Sequence, residues 1–272
     1  MSADTARPVT TRALLAKKHK GEPIVMVTAY DALFARLAEE GGADVLLVGD
    51  SLNQVLAGES STLSATLDQM LYHGRIVTRG AHRALVILDM PFLSYQVSRE
   101  EAVRNAGRAM KESGVQGVKL EGGRAVAPTV AALVEIGIPV MGHLGFTPQS
   151  VHAIGGYRVQ GREADARQRL LDDARALEEA GAFSIVLELV PTSVAREVTA
   201  AVGIPTIGIG AGPHCDGQVL VLPDLLGLTE DFKAKFVKRY ASLADDVRRA
   251  VRAFGDEVRA RTYPDAEHSF ET

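Results

Sequence analysis

Acidic residues follow four apolar segments of this sequence at the point where each segment ends. The segments are short runs of valine, leucine and isoleucine, which are typical of buried strands in a parallel sheet. The acids that follow them are Asp50, Asp89, Glu121 and Glu188. In barrels and open α/β sheets, ligands bind at the carboxyl ends of the strands. The pattern therefore predicts one acidic site, assembled from the ends of several strands.

Three of these acids, Asp50, Asp89 and Glu121, follow successive predicted strands and would converge at one end of a barrel. Carboxylate oxygens suit a hard cation such as Mg²⁺, which keeps several waters and takes only one or two carboxylates directly. A single acid in such a position is equally well explained as a solvated residue or as a helix cap. Three acids at matching positions favour a shared metal site.

Lys119 interrupts the fourth apolar segment, two residues before Glu121. Side chains alternate along a strand, so both side chains would point into the same space. A lysine in an apolar strand is costly unless it is paired or holds an anion. We interpret Lys119 as a candidate substrate-binding residue, and the structural alternative is a salt bridge with Glu121.

Two further residues are candidates for proton transfer, and one is a candidate for substrate binding. Glu188 follows the sixth predicted strand, across the barrel from the metal candidates, and is a candidate general base; the alternative is a helix-capping acid before Pro191. His143 follows the fifth strand and is a candidate donor to substrate or to Glu188. Ser51 has no neighbouring histidine base and no nucleophile-elbow pattern, so we interpret it as a hydrogen-bond donor to substrate.

A glycine-rich segment, G-I-G-A-G at residues 208–212, follows the seventh predicted strand. Its backbone amides would be free to approach an anion, in the place where many barrels bind phosphate. A tight turn without a ligand is an equally good interpretation. Both remain open on the sequence alone.

Strand and helix patterns alternate along the chain, with a glycine recurring between a helix end and the next strand. Strands are predicted at residues 24–28, 45–48, 85–88, 117–120, 139–142, 183–187, 206–209 and 218–222. Eight such units in 272 residues predict a (β/α)₈ barrel, with the chain forming a single domain that has a short N-terminal extension and a polar C-terminal tail. A doubly wound open sheet is disfavoured because no G-x-G-x-x-G motif follows the first strand.

Four segments outside the strands carry more specific predictions. Residues 98–101, S-R-E-E, form a capping box that starts a helix. Residues 147–162 carry three glycines and little apolar periodicity, which predicts a mobile flap. Residues 233–258 are predicted to form one long amphipathic helix. The basic residues 17–20 are predicted to form a solvated turn.

The composition argues against several classes of protein. A net charge of −4 disfavours a general nucleic-acid surface, which needs a clustered basic excess. No apolar run approaches the length of a membrane span, and the N-terminus lacks the apolar core of a signal peptide. The single cysteine, Cys215, cannot form an internal disulfide and has no spacing that indicates catalysis, which fits a reducing compartment. We therefore expect a cytoplasmic protein with neither a nucleic-acid nor a membrane partner.

Eight short motifs resemble, in order, those of the ketopantoate hydroxymethyltransferase family. They are V-T-A-Y-D at 27–31, V-G-D-S at 48–51, D-M-P-F at 89–92, V-K-L-E-G-G at 118–123, G-H-L-G-F-T-P-Q at 142–149, G-G-Y-R-V-Q-G at 155–161, G-I-G-A-G at 208–212 and C-D-G-Q-V-L at 215–220. The resemblance extends from about residue 11 to about residue 240. It therefore covers nearly the whole chain.

The resemblance implies a cytoplasmic barrel enzyme of pantothenate and coenzyme A synthesis, and a homo-oligomer that is typically a decamer. It implies transfer of a hydroxymethyl group from the co-substrate 5,10-methylenetetrahydrofolate to 3-methyl-2-oxobutanoate, which gives 2-dehydropantoate. Carried over by motif, Asp50 and Asp89 would hold Mg²⁺ directly, Glu121 would complete its site, and Glu188 would be the proton acceptor. The candidates for contact with the keto acid are Asp50, Ser51, Asp89, Lys119 and His143.

This chemistry agrees with the interpretation of the individual residues. A 2-oxo acid can chelate Mg²⁺ through its keto oxygen and one carboxylate oxygen. The metal acts as a Lewis acid that stabilises the enolate formed when a proton leaves the third carbon. The enolate would then attack the one-carbon unit of the folate, while the predicted flap at residues 147–162 would exclude water.

Two other functions fit parts of the pattern. One is a Mg²⁺-dependent carbon–carbon lyase of the isocitrate lyase group, which shares the strand-end acids but carries a K-K-C-G-H loop with a reactive cysteine. This sequence has no such loop. The other is a non-catalytic, metabolite-binding barrel. Acids at four strand ends argue against it, because unpaired buried charge is costly.

Overall fold

The computed structural model describes residues 7–270, so the first six residues of the predicted N-terminal extension lie outside the described residues. The chain divides into two compact units, the first ending at Val221 and the second beginning at Leu222. The single-domain organisation predicted over residues 1–272 stays a prediction. No helix within residues 7–270 is long and apolar enough to cross a bilayer.

Eight parallel strands of the first unit close into a barrel in chain order, and the last strand pairs with the first. This confirms the predicted (β/α)₈ fold. The strands are β1 (Ile24–Thr28), β2 (Val45–Val48), β3 (Leu85–Asp89), β4 (Gly117–Glu121), β5 (Val140–Gly145), β6 (Ser184–Glu188), β7 (Thr206–Ile209) and β8 (Gly217–Leu220). Strands β3, β4 and β6 each end one residue later than predicted, because the acid itself is part of the strand.

Helices on the outside of the barrel connect most of the strands. They are α1 (Thr11–Lys20), α2 (Ala32–Glu40), α3 (Leu52–Val55), α4 (Leu67–Gly80), α5 (Arg99–Arg108), α6 (Ala127–Glu135), α7 (Val151–Ile154), α8 (Ala164–Glu179) and α9 (Thr192–Ala201). A π-helical turn, Ala109–Ser113, extends α5. The connection from β7 to β8, residues 210–216, contains no helix.

Side chains fix the starts of two of these helices. Ser98 caps α5 as predicted, because its hydroxyl accepts a hydrogen bond from the Glu101 N–H at 3.1 Å. Helix α4 has a complete capping box that the sequence analysis missed. There, Thr66 Oγ1 accepts from the Gln69 N–H, and the Gln69 side chain accepts from the Thr66 N–H. Both arrangements satisfy N–H groups that have no partner inside the helix.

Alternate residues of the strands fill the inside of the barrel. Leu85 and Ile87 of β3 are examples, and both are almost completely buried. Leu14 of α1 belongs to the same apolar cluster. The other strands contribute Ile24, Met26, Val45, Leu47, Met141, Val186, Ile207 and Val219. The interior is thus a packed core, as in other barrels of this class, and the ends of the barrel are left for binding.

Two lysines of α1 form ion pairs at the amino-terminal end of the barrel. Lys17 Nζ lies 2.9 Å from Asp44 Oδ2, and Lys18 Nζ lies 2.9 Å from Asp216 Oδ2. Lys18 also donates to the carbonyl oxygen of Thr199 at 3.1 Å. The lysine side chains are only 28% and 13% exposed. The predicted solvated turn is therefore wrong for these two residues, whose partners are distant in the sequence.

The second unit contains a short helix, α10 (Leu222–Leu225), and a long helix, α11 (Leu243–Ala260). The single helix predicted over residues 233–258 is wrong in its first part, because the helix begins only at Leu243. Helix α11 has no buried residue. One of its faces carries four exposed apolar side chains at helical spacing: Val247, Val251, Phe254 and Val258.

The segment that precedes α11 is held in an irregular conformation by polar contacts. The Arg239 guanidinium donates to the carbonyl oxygens of Thr229 and Glu230 at 2.9 Å and 3.0 Å. The Tyr240 N–H donates to the carbonyl oxygen of Leu225 at 2.8 Å, which is not an intrahelical bond. The Tyr240 N–H is thus not available to a helix that runs from residue 233 into α11, which explains why the amphipathic pattern alone overextended the prediction.

Candidate active site

The same alternation of side chains that fills the barrel with apolar residues also places charged and polar side chains at its carboxyl-terminal end. In β3, Leu85 and Ile87 point into the core, and Asp89 takes the next position on the same side. The strand register places Asp89 beside Lys119. The corresponding ends of β4, β5 and β6 carry Lys119, Glu121, His143 and Glu188. The barrel therefore brings the predicted acids, lysine and histidine to one end.

Asp50 and Asp89 lie next to each other at the ends of β2 and β3. The Asp50 N–H donates to Asp89 Oδ2 at 3.1 Å, and both residues are 4% exposed. A β-carbon at Gly49 would lie 2.7 Å from Ser51 Oγ, so this close turn requires glycine. Burial, followed by the charges of Asp89 and Glu121, raises the pKa of Asp50 well above its ordinary value. Burial and the neighbouring acids therefore favour the neutral form of Asp50, and Lys119 opposes them.

Lys119 pairs with Asp89, and not with Glu121 as the structural alternative had it. The distance from Lys119 Nζ to Asp89 Oδ1 is 2.8 Å, and both side chains are 5% exposed. Burial alone would lower the pKa of Lys119, but the charges of Asp89, Glu121 and Asp50 outweigh burial and raise it. Lys119 is therefore an ammonium at neutral pH.

Glu121 is buried, and its two carboxylate oxygens have different surroundings. Oε2 accepts a hydrogen bond from the Gln149 N–H at 3.0 Å. Oε1 has no hydrogen-bond partner among residues 7–270, and the nearby His143 Nδ1 lies 3.5 Å away. Burial raises the pKa of Glu121 to about 7, with Lys119 opposing the shift and Asp89 adding to it. One buried oxygen of Glu121 thus faces the site without a donor.

His143 lies between Lys119 and Glu188. Its Nδ1 is 3.1 Å from Lys119 Nζ, and its Nε2 is 3.2 Å from Glu188 Oε2. Burial, then the charge of Lys119, lowers the pKa of His143, so the ring is neutral. Because an ammonium can only donate, Nδ1 accepts and the ring proton is on Nε2, next to Glu188. Nε2 has no hydrogen-bond partner among residues 7–270, so both predicted roles of His143, donation to substrate and donation to Glu188, stay predictions.

Glu188 stands at the end of β6, apart from the Asp50–Asp89 pair. Its side chain is 13% exposed, so it is mostly buried while still reaching solvent. Burial raises its pKa, and the contact with His143 opposes that rise. A carboxylate with a raised pKa is a better proton acceptor than an exposed one, as a general base requires.

Ser51 is held by a tyrosine that the sequence analysis did not identify. Ser51 Oγ lies 2.9 Å from the hydroxyl of Tyr30, which is 4% exposed. Ser51 itself is partly exposed, next to Asp50. This position is compatible with its predicted role as a donor to substrate, and no histidine contact of the kind that would activate a nucleophile is found for it within residues 7–270.

Gln149 and Tyr95 also belong to this site and were missed from the sequence. Gln149 is 6% exposed, and its side-chain amide donates to Asp50 Oδ2 at 2.9 Å. The Tyr95 hydroxyl lies 2.9 Å from Gln149 Oε1. The available signal was the G-H-L-G-F-T-P-Q motif, which ends at Gln149, but nothing in the local pattern says which groups this amide contacts.

The predicted flap, residues 147–162, is attached to the barrel at several points. It begins with a 3₁₀ turn, Pro148–Ser150, which buries Gln149, and continues into α7. Near its other end, the Gln160 N–H donates to the carbonyl oxygen of Leu189 at 2.8 Å. The segment is therefore more ordered than its glycines suggested, and its mobility stays a prediction.

The glycine-rich segment at residues 208–212 forms a close turn. Gly210 and Gly212 have φ angles of 63° and 78°, in the left-handed region that favours glycine. A β-carbon at Gly212 would overlap Thr192. These features favour the turn interpretation, and anion binding stays a prediction. Cys215 is unpaired, and burial raises the pKa of its thiol, which disfavours a reactive thiolate.

The carboxylates at the carboxyl-terminal end of the barrel are candidate ligands for a divalent cation. Within residues 7–270, no group of three or more histidine, cysteine or acidic side chains is arranged to enclose a metal ion. Asp50 and Asp89 nevertheless supply adjacent buried carboxylates, and Glu121 Oε1 lacks a donor. Mg²⁺ binds through one or two carboxylates, with waters and substrate oxygens completing its shell. The residues present therefore fit Mg²⁺ shared with a substrate, and they do not fit a metal held by protein alone.

Comparison with protein families and relatives gives a consistent result. The sequence matches the family described as ketopantoate hydroxymethyltransferase over residues 8–266. A protein of Moorella thermoacetica named 3-methyl-2-oxobutanoate hydroxymethyltransferase is 56% identical over 262 residues, which are 96% of this chain and 97% of the relative. A Syntrophus aciditrophicus protein of the same name is 54% identical over 264 residues, which are 97% of both chains.

Solved structures with a similar fold are much more distant in sequence. A 2,3-dimethylmalate lyase, described as a member of the PEP mutase/isocitrate lyase superfamily, has a TM-score of 0.60 at 19% identity and covers 95% of this chain and 91% of its own. A phosphonopyruvate hydrolase in complex with oxalate and Mg²⁺ has a TM-score of 0.59 at 14% identity, with 95% and 92% coverage. At these identities the likeness shows the barrel fold alone.

Proposed function

The chain belongs to the ketopantoate hydroxymethyltransferase family and hydroxymethylates 3-methyl-2-oxobutanoate; we propose that 5,10-methylenetetrahydrofolate is its one-carbon donor and that 2-dehydropantoate is its product. The reaction belongs to pantothenate synthesis. We further propose a mechanism in which a base removes a proton from the third carbon of the keto acid, and the resulting enolate attacks the methylene carbon of the folate. The two carbon–nitrogen bonds of that carbon break, one water supplies the oxygen of the new hydroxymethyl group, and tetrahydrofolate leaves with its nitrogens protonated.

The observation that carries this mechanism is the buried ammonium of Lys119. It has three N–H donors, of which one faces Asp89 Oδ1 and one faces His143 Nδ1. Within the described part of the chain, no third partner is found. The remaining donor is available for the carboxylate of a 2-oxo acid, which would be held by a charge-assisted hydrogen bond. Ser51, held by Tyr30, would donate a second hydrogen bond to the substrate.

We propose that Asp50 and Asp89 would hold Mg²⁺, with Glu121 completing its surroundings. When bound, Mg²⁺ would supply Lewis-acid stabilisation of the negative charge that develops on the keto oxygen. The phosphonopyruvate hydrolase that shares this fold was solved with oxalate and Mg²⁺. Oxalate, like a 2-oxo acid, presents two oxygens on adjacent carbons, which supports the proposal.

Glu188 would take the proton from the third carbon of the keto acid. It is not among the acids proposed to hold the metal, so its charge would stay available to a proton. The Nε2–H of His143, 3.2 Å from Glu188 Oε2, would orient the carboxylate. The Glu188 side chain is 13% exposed, so a proton that it takes from the substrate can exchange with solvent.

A solvent-exchange experiment tests this mechanism. Full-length protein is incubated in deuterated water with Mg²⁺ and 3-methyl-2-oxobutanoate, with and without 5,10-methylenetetrahydrofolate. We expect exchange of the third-carbon proton without the folate and formation of 2-dehydropantoate only with it. Product formation without any folate would contradict the proposed donor, and the absence of exchange under all conditions would contradict the proposed enolate.

We propose that the protein assembles with copies of itself in the cytoplasm, and the family resemblance suggests a decamer. The exposed face of α11 supports self-assembly, because Val247, Val251 and Phe254 are all more than half exposed in the single chain. An amphipathic helix whose apolar face is uncovered is typical of a contact surface. Sedimentation of the full-length protein at micromolar concentration tests this, and a purely monomeric species would contradict it.

A further inference from the structure

Gln149 contacts two of the acids proposed to surround the metal, although it has no charge of its own. We propose that Gln149, held by Tyr95, is a positioning residue that sets the carboxylates of Asp50 and Glu121 for a divalent cation before the cation arrives. The inference rests on the proposed magnesium site and adds to it a residue that determines how tightly the cation binds.

The hydrogen-bonding capacity of the Gln149 amide is fully used. Its Nε2 donates to Asp50 Oδ2 and to the carbonyl oxygen of Met90, both at 2.9 Å. Its Oε1 accepts from the Tyr95 hydroxyl at 2.9 Å and from the Gln96 side-chain amide at 3.2 Å. A primary amide has two N–H donors and two acceptor positions, so none is left over. Turning the amide by 180° would place its oxygen against Asp50, so only one orientation is allowed.

The backbone of the same residue fixes the second acid. The Gln149 N–H donates to Glu121 Oε2 at 3.0 Å, which leaves Glu121 Oε1 facing the site without a donor. Tyr95 joins both ends of the arrangement. Its hydroxyl accepts from the Glu121 N–H at 3.1 Å and lies 2.9 Å from Gln149 Oε1. One short segment of the chain thereby sets the orientation of acids on two different strands, β2 and β4.

The neutrality of Gln149 is the property that matters. Lys119 also orients an acid, Asp89, but it does so by cancelling the charge of that acid. An amide N–H orients a carboxylate and leaves its negative charge available to a cation. Partners that orient metal ligands typically change metal affinity by about 10- to 100-fold when they are removed.

The experiment measures cation binding directly. Full-length, metal-free protein is titrated with Mg²⁺ or Mn²⁺ by calorimetry in the presence of saturating 3-methyl-2-oxobutanoate, because the residues present fit a cation shared with a substrate. Gln149→Met keeps the length of the side chain and removes its donors. We expect it to raise the Kd for the cation by about 10- to 100-fold. At saturating cation, its kcat should return to within a few-fold of the parent value, because Gln149 does not touch the reacting atoms.

Two companion variants keep the test decisive. Gln160→Met is the matched control, because Gln160 lies on the same segment and its amide donates to the carbonyl oxygen of Arg158 and, within residues 7–270, to no acid. The Kd of this variant should not change. Tyr95→Phe removes a single oxygen and should raise the Kd by a smaller factor, which tests the proposal if Gln149→Met does not fold. A purely structural role would lower the melting temperature of both variants and leave the Kd unchanged.

The outcomes separate this inference from the function on which it rests. If the parent protein binds the cation and both Gln149→Met and Tyr95→Phe bind it equally well, the inference is wrong and the magnesium site stands. If the parent protein binds neither Mg²⁺ nor Mn²⁺, with or without the keto acid, the proposed metal site is wrong and the inference falls with it. A selective rise in Kd supports both.

Discussion

The two ends of the barrel use the same types of charged residue in opposite ways. At the amino-terminal end, Lys17 and Lys18 are matched one to one with Asp44 and Asp216. At the carboxyl-terminal end, the site formed by residues 7–270 has four acids, one lysine and one neutral histidine. The four acids are Asp50, Asp89, Glu121 and Glu188.

The two arrangements indicate that the charged residues stabilise the fold at one end and bind a ligand at the other. Matched pairs satisfy one another and join α1 to the barrel, so their effect is on stability. Unmatched buried acids are destabilising unless a cation or a proton compensates them. An excess of buried acids at the end where barrels bind ligands therefore indicates a binding site for a cation or another ligand. Substituting an acid at the carboxyl-terminal end should therefore mainly reduce activity, and substituting one at the amino-terminal end should mainly reduce stability.

The largest effect is expected from a pair of aspartate substitutions. Asp89→Asn should abolish turnover and Mg²⁺ binding, because one of two proposed metal carboxylates is lost, and its melting temperature should not fall by much. Asp44→Asn should leave turnover unchanged but lower the melting temperature by a few degrees, because the pair with Lys17 is lost. Activity assays and thermal unfolding of both variants measure this. Equal losses of activity would remove the distinction between the two ends.

The next effect is expected at Glu188. Glu188→Gln keeps the shape of the side chain and removes its ability to accept a proton. The overall rate should fall by about 10²- to 10⁴-fold, as is usual for loss of a general base. Mg²⁺ binding should persist, because Glu188 is not among the acids proposed to hold the metal. Deuterium exchange at the third carbon of the keto acid is the direct measurement, and exchange at the parent rate would make Glu188 a structural acid only.

A smaller effect is expected when a lysine is removed at either end. Lys119→Met should raise the KM for the keto acid by about 10- to 100-fold, which corresponds to the loss of one charge-assisted hydrogen bond. Lys18→Met should leave this KM unchanged and lower stability, because Lys18 pairs with Asp216. Steady-state kinetics on both variants, with unfolding curves to show that they are folded, measure the difference. An unchanged KM in a folded Lys119→Met variant would argue against its role.

The smallest effect is a shift in pH dependence. Protonated Glu188 cannot act as a base, so kcat should fall as the pH drops through its pKa. Burial raises that pKa, so the fall begins at a higher pH than for an exposed glutamate. His143 opposes the rise, so His143→Phe should move the fall to higher pH still. The exposed His152→Phe serves as the control, and identical profiles for both variants would contradict the contact between His143 and Glu188.

The sequence predicted the barrel and the strand ends well because both depend on local patterns. Apolar runs and the glycines that follow helices are short-range signals, so the bounds of β1, β2 and β7 were correct to the residue. The acids were found for the same reason, since three of them end a strand and Asp50 lies two residues after one. Their roles in binding and catalysis remain predictions that the experiments above address.

Other contacts could not be predicted because they depend on register between distant segments. The structural alternative for Lys119 was a salt bridge with Glu121 on its own strand, but the register of β3 against β4 places Asp89 beside Lys119. Gln149 reaches Asp50 across 99 positions of the chain. No local pattern contains such information. The overlong helix predicted before α11 failed for a related reason, since the Tyr240 N–H donates to the carbonyl oxygen of Leu225, 15 positions earlier.

Closure of the barrel by β8 against β1 has a consequence for synthesis of the protein. The edge of β1 that pairs with β8 has no partner until that part of the chain is synthesised, because Ile24 pairs with Gly217. Lys18 likewise pairs with Asp216, which lies 198 positions later. At a translation rate of about 5–20 residues per second, that interval lasts about 10–40 s. Throughout this time the nascent chain presents an unpaired, apolar strand edge, which is a template for aggregation. Ribosome-associated chaperones that cover about the first hundred residues of the nascent chain should therefore raise the soluble yield of synthesis. They should have a smaller effect on the yield of refolding from the complete chain.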